Sequence, residues 1–294
     1  MRAKAPSAGL WRVGLLLLGN VGLALGPMFV RLADTGPVAA GFWRITLALP
    51  FVMLLAWRSA TSEMRLSKAS WMIVMGAGVL FALDLASWHL GIERTRLGNS
   101  ALFGNSGSVI LIAWSLIAAR RMPLPAELAS VLAALVGASL LMGGSLEISR
   151  ENLVGDLLCL LAGVLYVAYI LMLRHVRGRM GSWSLLAVSA ATGVPVLYLC
   201  AVALGETIVP HDWTPLIALS LCSQILGQGV LIWALFWFRP LVIGLALLTQ
   251  PAIAALTGWL VFDEALSPSD MVGMVLMAAA LALARAAEPV PARG

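Results

Sequence analysis

Ten stretches of about twenty residues, each almost wholly apolar, follow one another along this chain, and no other feature constrains its fold as much. They run 10–33, 37–57, 70–91, 97–119, 126–144, 154–173, 183–204, 213–237, 241–262 and 269–286. A bilayer core about 30 Å thick takes about 20 helical residues at a rise of about 1.5 Å each, so every stretch is of spanning length. The connectors are short and punctuated by Gly, Pro, Asp or Arg, as in DTGP, SEMRLSK, RRMPLP, RGRMGS and DEALSP. No extramembrane domain fits between them. Of the 294 residues, 61% are hydrophobic and 11% charged, against about 25% charged in a soluble domain. The chain reads as an all-α polytopic membrane protein with ten transmembrane helices.

The formal charge of +5 does not point to nucleic acid, because the basic residues are strewn between apolar segments without a patch or reading motif. Their positions set orientation instead, since cytoplasmic loops carry the excess of Lys and Arg. With the N-terminus inside, Arg2, Lys4, Arg12, Arg58, Arg65, Lys68, Arg120, Arg121, Arg174, Arg177, Arg179, Arg239, Arg285 and Arg293 fall on the inner side. Arg31, Arg94, Arg96 and Arg150 fall outside, and Arg44 is left within the second span. Both termini are therefore expected in the cytoplasm of a cell whose inner membrane holds the protein. The opening MRAKAPSAGLWRVGLLLLGN has the order of a signal peptide, yet no small-x-small site follows, and an uncleaved first span is expected. Cys159, Cys200 and Cys222 stand singly in apolar segments, without the paired spacing of zinc or redox sites. No metal or cofactor is expected.

The two halves echo each other at a spacing of about 143 residues, a periodicity that bears on architecture before any single residue does. Arg31 answers to Arg174, Pro125 to Pro268 and Glu127 to Asp270. Five spans per half is an odd number, so the halves, residues 1–146 and 147–294, start on opposite sides. That makes them two inverted five-helix repeats, an arrangement of transporters with a site at the repeat interface.

Four segments then acquire a specific likeness: AAGFWRITLALP with Arg44, the SWHLGIERT turn, the two five-helix halves themselves, and LLTQPAIAALTGWLVFDEALSPSDMVGMVLM. Together they resemble the EamA family of the drug/metabolite transporter superfamily over roughly residues 12 to 285, and among its members the YddG-type exporters of aromatic amino acids. The resemblance implies a ten-helix fold, no catalysis, and export of amino acids or other small metabolites across the inner membrane; a multidrug or cationic-compound exporter is the alternative within the superfamily. Two departures qualify the symmetry: Ser108 stands where the family has a proline in the fourth span, and Arg120 and Arg121 where an acidic residue is expected.

Polar residues within the spans mark the candidate site, because ionisable groups in hydrocarbon face a bundle interior or an aqueous cavity and pair with one another. Arg44, Asp84 and Asn105 lie seven or eight residues from the outer ends of their spans, at about one depth of 10 Å. Arg44 and Asp84 read either as a structural ion pair or as the polar end of a substrate cavity, with Arg44 taking a carboxylate and Asp84 sensing protons. Trp88 shares the Asp84 side; His89 lies about 140° round the helix and reads as a hydrogen-bonded residue or a proton relay. In the fourth span Gly98, Ala101, Asn105, Ser108 and Ile112 fall on one side, and in the eighth Ser220, Gln224 and Gln228 repeat every four residues. A stripe of amides cannot face lipid. Asn20, Gln250, Tyr166 and Tyr169 complete an amide-rich, aromatic interior with one acid and one base, suited to a small zwitterion.

Other signals have plainer readings. Trp11, Trp57, Trp71, Trp183, Trp213, Trp237 and Trp259 lie near span ends, where Trp anchors interfaces; Trp88, Trp114 and Trp233 are left as possible lining residues. Gly26-Pro27, Pro50, Pro195 and Pro251 are expected to interrupt their helices, and Gly22 with Gly26 forms GxxxG. The run Gly104-Asn105-Ser106-Gly107 resembles the nucleophile motif of rhomboid-type proteases, a rival reading that needs a His within reach of Ser106. The expected partners are a small-molecule substrate and the lipid bilayer, with a monomer plausible.

Overall fold

The computed structural model describes residues 10–59, 67–95, 103–120, 122–142, 152–262 and 266–286. The 146/147 boundary between halves lies outside them, as do Gly98, Ala101, Arg2, Lys4, Arg65, Arg96, Arg121, Arg150 and Arg293. Within them the fold is all-helical: α1 (Leu10–Ala24), α2 (Gly26–Leu32), α3 (Pro37–Arg58), α4 (Lys68–Glu93), α5 (Ser106–Ala118), α6 (Pro125–Met142), α7 (Leu153–Val176), α8 (Ser182–Ala203) and α9 (Thr214–Leu219). A π-helical segment, Ser220–Gln228, follows, then α10 (Gly229–Ala234), α11 (Pro240–Leu247), α12 (Gln250–Phe262) and α13 (Pro268–Ala286).

Six stretches are long and apolar enough to cross a membrane: Trp11–Val30, Pro37–Arg58, Lys68–Glu93, Leu153–Val176, Ser182–Ala203 and Thr214–Ala234. The other four apolar helices, Ser106–Ala118, Pro125–Leu141, Pro240–Ile253 and Pro268–Ala284, are 10–17 residues long over the described residues. The start of the fourth span lies outside the described residues, and the ninth is divided between α11 and α12. Large apolar side chains such as Trp57, Met72, Ile117 and Val275 point outward and are exposed, as lipid-facing residues are.

Proline explains two of the four expected interruptions. Pro27 stands at the start of α2, just after the break at Leu25, and Pro251 opens α12 beside the break at Leu248 and Thr249. Pro50 and Pro195 instead sit inside unbroken helices, α3 and α8, where neighbouring helices compensate for one lost backbone bond. Elsewhere Pro37, Pro240 and Pro268 begin helices, where the missing N–H costs nothing. Two helix starts repeat one device: the Leu124 N–H donates to Glu127 Oε2 at 3.0 Å ahead of α6, and the Ser267 N–H to Asp270 Oδ2 at 2.9 Å ahead of α13. These are the acids that the 143-residue spacing equates.

Close approaches set the packing. α1 lies on the π segment so tightly that a Cβ at Gly22 would collide with the Cys222 carbonyl oxygen, which is what the GxxxG pattern foretold. α6 and α13 cross through reciprocal glycines: a Cβ at Gly137 would lie 2.7 Å from the Gly273 oxygen, and one at Gly273 2.8 Å from the Gly137 oxygen. The principal contacts are α4 with α7, α1 with the π segment, α4 with α8, α3 with the π segment, α5 with α7, and α1 with α11 and α12. Three further pairs, α3 with α8, α5 with α11 and α6 with α13, complete the bundle.

Candidate functional site

The π segment crosses the middle of the bundle with Ser220, Gln224 and Gln228 each at most 2% exposed. An i→i+5 ladder turns less per residue than an α-helix, so residues four apart come close to eclipsing and the expected stripe forms. The sequence predicts an α-helix here; Gly22 of α1 lies against the Cys222 carbonyl of this segment and Gly26 of α2 against the Ser223 side chain.

α3 brings Arg44 to the stripe. Its Nε donates to Gln224 Oε1 at 3.1 Å, and its Cζ stands 5.9 Å from the centroid of the Phe81 ring on α4. α7 brings Tyr166, whose hydroxyl donates to Gln228 Oε1 at 3.2 Å. Tyr169, fully buried, stacks on Phe81 with centroids 4.7 Å apart and planes 20° from parallel, and lies 6.0 Å from Tyr166. Asp84 sits one turn beyond Phe81 on α4, 8% exposed. Among the described residues it accepts no hydrogen bond, and Arg44 and Asp84 form no ion pair: the guanidinium is engaged by the Gln224 amide and the Phe81 face. Phe81, three residues before Asp84, was not singled out from sequence.

This cluster is closed and incompletely bonded. Arg44 is 5% exposed, and the Nε2 atoms of Gln224 and Gln228 and the Tyr169 hydroxyl are buried without a hydrogen-bond partner. Each such group costs about 1–3 kcal/mol. The set offers donors on one side, a guanidinium and two amides, and a carboxylate and aromatic faces on the other.

Other site residues of the sequence reading lie apart from it. Asn20 Nδ2 donates to the Ala246 oxygen and to Thr249 Oγ1, both at 2.7 Å, while Gln250 Nε2 donates to Asn20 Oδ1 at 3.1 Å. Asn20 and Gln250 thus knit α1 to the α11–α12 break. Ser108 is buried against α11, its carbonyl beside Gly244. Asn105 is the turn residue between helical Phe103–Gly104 and α5, in helical backbone and without a side-chain cap bond. Trp88 packs over Gly104; Trp114 is 40% exposed, and Trp233 groups with Trp11 and Trp237. The Ser106 hydroxyl lies against Gly163 with no hydrogen-bond partner among the described residues.

His89 belongs to a clasp at the end of the bundle where α3 begins. Its Nδ1 lies 2.6 Å from the Pro37 oxygen; a carbonyl only accepts, so Nδ1 carries the proton, and the buried Nε2 has no partner. The same turn of α3 donates Val38 N and Ala39 N to Glu206 Oε1 and Oε2 at 3.2 and 2.7 Å. Glu206 is presented by the turn that ends α8: Gly205, at φ +70°, lets the Glu206 N–H reach back to the Ala201 oxygen and the Gly205 N–H to the Val202 oxygen. Partial burial pushes the Glu206 carboxyl above its ordinary range, against the pull of the two backbone N–H groups. Nearby, Trp43 Nε1 donates to the Ile208 oxygen at 2.6 Å, and the N–H groups of His211 and Asp212 hold the Asp34 carboxyl below its ordinary range. The opposite end is basic: Arg239 meets the buried Glu127 at 2.7 Å, Arg174 donates to the Phe238 oxygen and Arg179 to Ser70.

Comparison places this geometry. A solved structure described only as the crystal structure of a protein has the same fold, with a TM-score of 0.75 over 94% of this chain and 98% of that one at 17% sequence identity. No curated protein matches the chain in sequence. The stretch from the first residue of α7 to the last of α13, residues 153–286, matches the EamA-like transporter family. Residues 153–286 thus carry the likeness to the EamA-like transporter family, and the six long apolar helices point to a multi-pass membrane protein.

Proposed function

We propose that the protein exports small metabolites across the inner membrane, amino acids first among them and aromatic ones within that class, by alternating access. One observation carries this reading: Arg44, Gln224, Gln228, Tyr169 and Asp84 meet in a closed interior with bonding capacity left over. A small zwitterion supplies what each lacks, its carboxylate to the donors and its ammonium to Asp84. A polyphosphate would call for more cations.

The architecture behind the reading is ten spans in two inverted repeats, with both termini cytoplasmic. Its support is the contact pattern. Let α1–α2 exchange with α7, α3 with α8, α4 with the α9–π–α10 span, α5 with α11–α12, and α6 with α13. The contact of α4 with α7 then becomes that of the π segment with α1, α4 with α8 becomes π with α3, and α5 with α7 becomes α11–α12 with α1. The pairs α3 with α8, α5 with α11 and α6 with α13 return to themselves. A two-fold axis in the membrane plane would produce such a pattern, and transporters built that way hold their substrate near the axis.

A cationic substrate is the second reading, favoured by an unpaired Asp84 beside the Phe81, Tyr166 and Tyr169 rings. Counterflow in proteoliposomes with a panel of amino acids and organic cations separates the two. Exchange of amino acids, lost in Arg44→Gln, is the expected result. Exchange of cations alone, indifferent to Arg44, would transfer the protein to the second class, and no exchange of either would end the transporter reading of this site.

A further inference from the structure

At the basic end of the bundle one arginine is held differently from its neighbours. Arg174, Arg179 and Arg239 each donate to a protein group there, whereas Arg12, in the first turn of α1, makes no hydrogen bond or ion pair among the described residues. Its Nε is buried without a partner. Aromatic faces hold it instead: its Cζ stands 3.6 Å from the Trp237 ring centroid and 5.5 Å from that of Trp11, and Trp233 joins the two indoles at 5.7 and 6.0 Å. Trp11 and Trp237 are 55% and 47% exposed on the outside of the bundle.

We infer that Arg12, Trp11 and Trp237 form a binding site for the phosphate of an anionic phospholipid. The location, the first turn of a spanning helix between exposed indoles, is the depth of the headgroup region, where Trp rings settle. A guanidinium stacked on an indole keeps its charge and its remaining donors, and its planar fork matches a phosphate. The surroundings favour an anion: Arg58, Lys68 and Arg177 lie at the same end, and Glu127 there is already bonded to Arg239. The stacked rings also fix the side chain beforehand, so that less rotamer freedom is lost on binding than for an exposed Lys. The site is separate from the Arg44 cluster and independent of the transported substrate.

The test uses the full-length protein, delipidated in a neutral detergent, with its thermal unfolding midpoint followed on titration with phosphatidylglycerol, phosphatidylcholine or inorganic phosphate. Phosphatidylglycerol is expected to raise the midpoint above phosphatidylcholine, and inorganic phosphate not to. Arg12→Gln is expected to weaken the phosphatidylglycerol response roughly fivefold, the effect of one basic residue at a charged surface, while Arg58→Gln leaves it intact. Trp237→Leu, which removes the ring under the guanidinium, weakens it in the same direction and serves if Arg12→Gln fails to fold. An equal loss in Arg58→Gln would reduce the effect to diffuse charge and overturn the site. So would an unchanged response in both Arg12→Gln and Trp237→Leu, or an equal rise with inorganic phosphate.

Discussion

Tyr169→Phe tests whether the closed interior is built for an occupant. The Tyr169 ring is fully buried and stacks on Phe81 at 4.7 Å, so phenylalanine keeps every ring contact and removes only the hydroxyl. That hydroxyl makes no hydrogen bond of good geometry among the described residues; the Ser189 hydroxyl beside it donates instead to the Leu186 oxygen at 3.2 Å. A buried, unpartnered polar group costs about 1–3 kcal/mol, and the deletion recovers that less the small dispersion loss of one oxygen atom. A gain of about 1 kcal/mol is expected in the empty protein, a rise of roughly 2–4 °C in midpoint on the scale of domains somewhat smaller than this chain. With substrate present the sign reverses. A hydroxyl that donates to a bound carboxylate makes a charge-assisted bond of about 1.5–3 kcal/mol, so its loss weakens binding tenfold or more.

The assay is thermal unfolding of the detergent-purified protein with and without saturating amino acid, where binding adds RT ln(1 + [L]/Kd). The variant should melt higher than its parent when empty and gain less from ligand. A lower empty midpoint would mean that the protein itself satisfies the hydroxyl. A ligand shift equal to the parent's would mean that the substrate does not reach it, and the site would have to be redrawn without α7.

The remaining expectations concern the two ends of the bundle and the buried acid. Glu127→Gln keeps an acceptor for the Leu124 N–H but removes the charge facing Arg239, and should cost about 1–3 kcal/mol, while Glu127→Ala should cost about 3–5 kcal/mol; a Glu127→Gln midpoint equal to the parent's would discard the ion pair as a structural element. Glu206, whose carboxyl is raised in the folded protein, contributes most stability below the ordinary carboxylate value and loses it as pH rises through the folded value. Glu206→Gln should therefore flatten the fall in midpoint above pH ~4.5, and an unaltered slope would remove Glu206 as its source. Asp84→Asn should uncouple flux from a pH gradient in proteoliposomes; parent flux already indifferent to the gradient would dismiss Asp84 as a proton site.

Much of this was legible before any coordinates. Apolar length and connector chemistry gave the helices, and the stripe of Ser220, Gln224 and Gln228, the Arg44 level and the Gly22 crossing came from spacing alone. What spacing could not show was which polar residues serve backbone and which serve a site. Asn20 and Gln250 look like Gln224 in sequence, yet Asn20 bonds the Ala246 carbonyl and Thr249 at the α11–α12 break while Gln250 bonds Asn20, links visible only when α1 is brought against that break. Phe81 was hidden for the opposite reason: an aromatic residue in an apolar span carries no signal until Arg44 and Tyr169 lie over its ring. The π segment, which lies against Gly22 of α1 at Cys222, has no counterpart in the apolar and amide spacing, which reads as an α-helix.

The division between bonded and unbonded polar groups also bears on mechanism. Among the described residues Gln224 Nε2, Gln228 Nε2 and the Tyr169 hydroxyl are buried without partners in the closed bundle, and Asp84 beside them accepts no hydrogen bond; at about 1–3 kcal/mol for each buried atom, their joint cost is a large fraction of the stability of a whole domain. An open state lets water bond to them, so closing without cargo forfeits those bonds. Closing around a zwitterion replaces them. A ligand shifts such an equilibrium by its differential affinity for the two states and by nothing else. On the proposed function, the same unsatisfied atoms that bind the substrate therefore make closure conditional on it, and apolar replacements at Gln224 or Gln228 should favour the closed state in the empty protein while abolishing the coupling between occupancy and closure.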